Sequence, residues 1–126
     1  MVELALVIPV FLVLVLGIID FGLGLRAWIT ITNSAREGAR VGAVHGTCDE
    51  IRAQVKATSG GLVTSDDQIS IEPDDCDWTT GDPVRVTVEY EYGLVTPLAG
   101  VLNLLPGEAD LDSTFNLSSS SNMRVE

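Results

Sequence analysis

From Leu4 to Ile19 sixteen consecutive residues carry no charge, and the apolar run reaches Leu25 with a single acid, Asp20, inside it. A helix needs roughly 20 such residues to cross a bilayer, so the run has membrane length. A cleaved secretory signal would begin with basic residues and carry a shorter apolar core. This chain instead opens Met1-Val2-Glu3. A soluble core helix would show polar residues at helical spacing, and residues 4–19 show none.

Beyond the run the pattern becomes amphipathic. Trp28, Ile31, Ala35, Ala39 and Gly42 fall on one stripe, with Asn33, Arg36, Glu37 and Arg40 largely off it. No proline interrupts residues 10–72. The sequence therefore predicts one helix from about residue 2 to about residue 45, ending near Gly46. At 1.5 Å per residue its length is on the order of 65 Å, far more than a bilayer's thickness. Its first half suits lipid and its second half projects out.

The remainder reads as a small head. Asp49 to Thr58 sets Ile51 and Val55 four apart, with acids first and a lysine later, and stops at Gly60-Gly61, as a short helix does. The period then becomes two. Ile69 to Glu72 is a short strand, and Val84 to Tyr92 alternates valines and tyrosines with Arg85, Thr87, Glu89 and Glu91, the pattern of a half-buried strand. Further strands are expected at Leu111 to Leu117 and Asn122 to Glu126. Leu94 to Leu105 is strongly apolar between Pro97 and Pro106. It reads as a loop with a helical turn covering the sheet, or as an exposed docking patch. The expected class is α+β: a long N-terminal hydrophobic helix, residues 1–46, followed by a small head with an antiparallel β-sheet, residues 47–126.

Charge separates the two parts. Residues 1–40 hold three acids against three bases, and residues 41–126 hold fifteen against four, so the net charge of −11 belongs to the head. A surface this acidic is the opposite of what binds phosphates, and nucleic acid is not an expected partner. About 80 residues is close to the lower limit for an independent core, where a crosslink helps. Cys48 and Cys76 have no Cys-x-x-Cys spacing and no Cys/His cluster for zinc. A disulfide between them would tie the helix end to the sheet, contribute roughly 3–4 kcal/mol by loop entropy, and place the head outside the cytosol.

Several residues invite chemistry. Glu3 lies at the mouth of the apolar helix, either in the headgroup region or, more sharply, neutralising a positive group inside an assembly, its natural partner being a neighbouring subunit's N-terminal amine. Pro9 removes a backbone donor from the helix and permits a kink. Gly38 and Gly42 form a Gly-x-x-x-Gly spacing that lets helices approach closely. Asp20 marks the membrane interface, or pairs with Arg26 or with a neighbour's arginine. Asp74, Asp75, Asp77 and Asp82 are hard oxygen ligands of the kind Ca²⁺ takes, yet they match no twelve-residue calcium loop and read as a solvated acidic loop. No other cofactor or metal is expected. His45 has no partner at ligand spacing, and no catalytic constellation is evident, so the chain is not expected to be an enzyme.

Three motifs carry a family resemblance. Glu3-Leu4-Ala5-Leu6-Val7-Ile8-Pro9, then Gly17-Ile18-Ile19-Asp20-Phe21-Gly22, then Ala35-Arg36-Glu37-Gly38-Ala39-Arg40 resemble, in order and spacing, the N-terminal region of TadE-like pilins of bacterial tight-adherence pili. Looser similarity continues through Val86 to Tyr92, Thr96-Pro97-Leu98 and Met123 to Glu126. The resemblance implies a type IV pilin-like subunit, cut from a basic leader by a prepilin peptidase and drawn from the inner membrane into a helical homo-oligomeric filament. Other pilus subunits and the assembly machinery would be its partners. It also implies that Glu3 neutralises the amino group of Met1 of a neighbour, although the family's acid usually falls at the fifth mature position and here stands third. Arg26, Arg36 and Arg40 alone would place the side after the span in the cytoplasm. The disulfide and the acidic head favour the exported side.

The expected function is thus a structural pilin in an extracellular filament for surface attachment. The alternative is a single-pass membrane-anchored minor pilin, or an envelope protein with an extracytoplasmic binding domain.

Overall fold

A computed structural model of the protein describes residues 2–103 and 113–126. In chain order the described elements are α1 (Val2–Ala43), α2 (Cys48–Thr58), a 3₁₀ turn (Asp66–Gln68), β1 (Ile69–Glu72), β2 (Pro83–Gly93), α3 (Leu98–Leu102) and β3 (Thr114–Arg124). The fold is α+β: a long apolar N-terminal helix followed by a small antiparallel sheet of strand order β1-β2-β3. The described residues divide into two compact units, Met1–Arg26 with Glu91–Phe115, and Ala27–Tyr90 with Asn116–Glu126.

In the second unit local chemistry sets the boundaries. α1 stops at Ala43, two residues earlier than its pattern suggests, because His45 turns into the left-handed region (φ 62°) and the Gly46 N–H folds back to the Val41 carbonyl at 3.0 Å. α2 begins in a capping box. The Thr47 N–H donates to Glu50 Oε2 at 2.8 Å, and the Glu50 N–H returns to Thr47 Oγ1 at 3.3 Å. β1 pairs with β2 so that Ile69 faces Val88 and Ile71 faces Val86. That register puts all four residues on one buried face.

The core of this unit joins Ile31, Ala35 and Ala39 of α1 to Ile51 and Val55 of α2, to Ile69 and Ile71 of β1 and to Val84, Val86 and Val88 of β2, and also includes Cys48, Val63, Trp78 and Val125. One helix-face assignment changes. Trp28 is exposed, and Ala27 takes the buried position, giving a stripe of Ala27, Ile31, Ser34, Ala35, Gly38, Ala39 and Gly42. The helix therefore presents its smallest residues to the head. Ser34 is accommodated in this dry contact because its hydroxyl donates to the Thr30 carbonyl at 3.0 Å.

The C-terminal strands also differ from expectation. One strand runs unbroken from Thr114 to Arg124, through a stretch of four consecutive serines that carries no apolar alternation. Leu111 and Asp112 lie outside the described residues. There is no separate strand at Asn122 to Glu126; instead Val125 exchanges hydrogen bonds with the loop before β2, its N–H reaching the Asp82 carbonyl at 3.0 Å and its carbonyl accepting from Gly81 at 2.8 Å. The apolar stretch after β2 holds α3, and its residues 104 and 105 fall outside the described residues.

Candidate functional site

The apolar half of α1 is the first candidate. It has a mean hydropathy of 2.8 over its most apolar 18 residues, and only 6% of that window is buried. A soluble core helix of such composition would be covered. Here Leu4, Val10, Phe11, Leu14 and Ile18 are each more than half exposed. Glu3 stands in the first helical turn and is exposed, where a carboxylate also favours the positive end of the helix dipole. Met1 lies outside the described residues. Pro9 sits inside α1, which continues past it.

Asp20 interrupts this apolar surface and is 3% exposed. Its Oδ1 accepts from the Val95 and Thr96 backbone N–H groups, both at 3.1 Å, and its Oδ2 accepts from the Thr96 hydroxyl. One turn of chain thus supplies three donors to a single carboxylate. The Tyr92 hydroxyl donates to the Asp20 carbonyl at 3.2 Å, and the Tyr92 ring lies beside Gly24. A lone acid in a membrane helix costs about 2.5–3.5 kcal/mol on insertion scales, and three donors directed at it offset that cost. No local sequence pattern around Asp20 marks Tyr92, Val95 and Thr96 as its partners. The signal that points to them is the need itself, since a buried carboxylate must be satisfied and Thr96 supplies both a hydroxyl and a backbone donor.

Gly38 and Gly42 make close approaches to α2 and β2 within the chain. A Cβ on Gly38 would stand 2.6 Å from Val55 Cγ2 and 3.3 Å from Val86 Cγ1, and one on Gly42 would stand 2.7 Å from Val84 Cγ1. Cys48 and Cys76 form a disulfide with their Cα atoms 5.9 Å apart, joining the start of α2 to the loop before β2.

The remaining polar candidates serve the head's own structure. His45 Nε2 lies 3.0 Å from the Glu126 carbonyl, and the Glu126 N–H donates to the Ala43 carbonyl at the end of α1. Asp82 Oδ2 accepts from the Thr79 N–H at 2.7 Å and from the Thr79 hydroxyl at 2.9 Å, which holds its carboxyl below the usual range. The Lys56 ammonium, 2.8 Å from Asp66, lowers that carboxyl in the same sense. Among the described residues no group of three or more His, Cys, Asp or Glu side chains is placed to hold a metal.

The three N-terminal motifs all fall on α1, and a comparison with known families tests them directly. Residues 1–40 match the TadE-like protein family. The TadE-like match ends three residues before α1 does, so it covers the apolar run, Asp20 and all of the buried stripe except Gly42. Neither the characterised proteins nor the solved structures compared with the chain gave a match. The TadE-like family is structural and pilus-associated, and together with the exposed apolar helix it fits a pilus-associated membrane protein.

Proposed function

We propose that this chain is a structural pilin subunit that anchors in the inner membrane through α1 and then assembles through it into an extracellular tight-adherence filament used in surface attachment. The observation that carries this reading is the division of α1 into two surfaces. The part that includes Leu4, Phe11 and Ile18 exposes large apolar side chains, whereas Ile31, Ala35 and Ala39 are wholly buried in the head core. Lipid covers the first surface in the membrane, and neighbouring α1 helices replace lipid in the filament. That exchange gains no bulk hydrophobic free energy, so packing and polar pairing must direct it.

Glu3 supplies the polar pairing. Inside a helical core its carboxylate requires a cation, and the amino group of a neighbour's Met1 is the partner that the resemblance implies. The test compares filaments sheared from cells expressing Glu3→Gln and Glu3→Ala with those of the parent, at matched amounts of membrane-bound subunit. Both variants should insert in the membrane and lose most of the filament. Parental filament yields from Glu3→Ala would refute the pairing.

The second reading, a membrane-anchored minor pilin or envelope protein with an extracytoplasmic binding domain, draws support from Asp20. Its contacts cover one side of α1 with the chain's own residues, a side then closed to neighbouring helices.

A further inference from the structure

Eleven consecutive residues, Gly93 to Asn103, carry no charge in a part of the chain otherwise rich in acid. From residue 93 to residue 100 the apolar groups are poorly covered. Val95 is 70% exposed, Pro97 and Gly100 are exposed, and Leu94, Leu98 and Ala99 are only half-buried. A soluble surface rarely gathers such a stretch without a partner to cover it. The segment is also fastened, because Val95 and Thr96 give their backbone N–H groups to the Asp20 carboxylate and Tyr92 bonds the Asp20 carbonyl.

The place of attachment identifies the cover. Counting from Leu4 at about 1.5 Å per residue, a hydrocarbon core of about 30 Å is used up near residue 24. Asp20 stands about 24 Å along, roughly 6 Å inside the far boundary. Whatever Asp20 holds against the helix is held at the depth where acyl chains meet headgroups, the depth favoured by elements that lie in a membrane rather than cross it. The segment's composition suits that depth, with apolar groups for the acyl side and Asn103 for the polar side.

We propose that Gly93–Asn103 is a second membrane contact, an interfacial element that Asp20 holds against α1 in the leaflet where the span ends, with phospholipid as its partner. Asp20 is then a positioning residue whose carboxylate sets the depth of the segment. Because the segment has no cation, its insertion depends on apolar burial and is indifferent to the anionic lipid fraction. The inference rests on α1 spanning the membrane and is independent of filament assembly.

The test uses the full chain with its disulfide intact, reconstituted in phosphatidylcholine vesicles and carrying one added, nitroxide-labelled cysteine. Collision rates with oxygen, which concentrates in lipid, and with a water-soluble nickel chelate report the depth of each label. Val95→Cys should give oxygen collisions severalfold above those with nickel, as Phe11→Cys in the span does, while Asn122→Cys on β3 should give the reverse. Replacing a third of the lipid by phosphatidylglycerol should leave the Val95→Cys ratio unchanged. Adding Asp20→Ala should move that ratio toward the value at 122. Thr96→Val, which deletes only the hydroxyl donor, should move it part of the way and guards against misfolding of the first variant.

A nickel-accessible label at 95 beside a lipid-exposed label at 11 overturns this inference alone. A nickel-accessible label at 11 overturns the membrane reading as well. A label at 95 shielded from both reagents shows protein as the cover and also refutes the proposal, and a ratio unmoved by both Asp20→Ala and Thr96→Val refutes the positioning role of Asp20.

Discussion

Replacing Gly38 by alanine puts one methyl group into the tightest contact between α1 and the head. The added Cβ would stand 2.6 Å from Val55 Cγ2, 3.3 Å from Val86 Cγ1 and 3.4 Å from Ile51 Cγ2. Relief is difficult, because valine in a helix is confined to essentially one χ1 rotamer and Val55 is wholly buried in α2. Overpacking of this kind costs about 1–3 kcal/mol, and the stiffness of Val55 argues for about 2–3. Removing a glycine from a helix interior returns about 1 kcal/mol. The net expectation is a loss of about 1–2 kcal/mol, opposite in sign to the propensity effect alone. Urea unfolding in non-ionic detergent, followed by the fluorescence of the buried Trp78, measures it. Val55→Ala vacates the space, so Gly38→Ala with Val55→Ala should cost at least about 1 kcal/mol less than the sum of the single losses. A Gly38→Ala protein as stable as the parent, or more so, would refute the close packing of α1 on α2.

Reducing the Cys48–Cys76 disulfide, or replacing both cysteines by serine, should lower the stability of the head by roughly 3–4 kcal/mol, since 28 residues separate the pair; unfolding with and without reductant checks this, and coincident midpoints would contradict it. Asp66 and Asp82 titrate lower in the folded chain than their ordinary value, through the Lys56 ammonium and through Thr79 donors respectively. Their contribution is therefore fully present above about pH 4 and is lost as pH falls through the lowered folded values. Asp82→Asn and Asp66→Asn should each flatten the acid limb of stability and leave the profile between pH 5 and 7 unchanged in shape. An acid limb as steep as the parent's in both variants would contradict the assigned contacts.

The parts of the fold that were legible in the sequence are those set by local pattern. The uncharged run from Leu4 defines α1, the alternation from Val84 to Tyr92 defines β2, and the first-turn acids, the later lysine and the Gly60-Gly61 stop mark α2, whose Thr47–Glu50 capping box only the structure brought out. Distant partners were not legible. Trp28 attracts a core assignment by its hydrophobicity, yet Ala27 holds the buried position, and further along α1 Gly38 is buried where its missing side chain lets Val55 and Val86 approach closely. β3 runs through Ser118 to Ser121, which have no strand signature of their own, because its neighbour β2 extends through the same sheet. The role of Asp20 depends on Val95 and Thr96, 75 and 76 residues away. Its sequence neighbours suggest an interface marker, and the structure adds what they do not show, that its carboxylate accepts from the loop after β2.

In the proposed function α1 leaves the lipid to become the shaft of a filament. An electron cryomicroscopy reconstruction of filaments sheared from cells tests it most directly. The density should show a core of parallel α1 helices with residues 4–19 packed against neighbouring copies, Glu3 beside an adjoining amino terminus, and the acidic head outside. Filaments built without this chain, while the subunit remains in the membrane fraction, would contradict it.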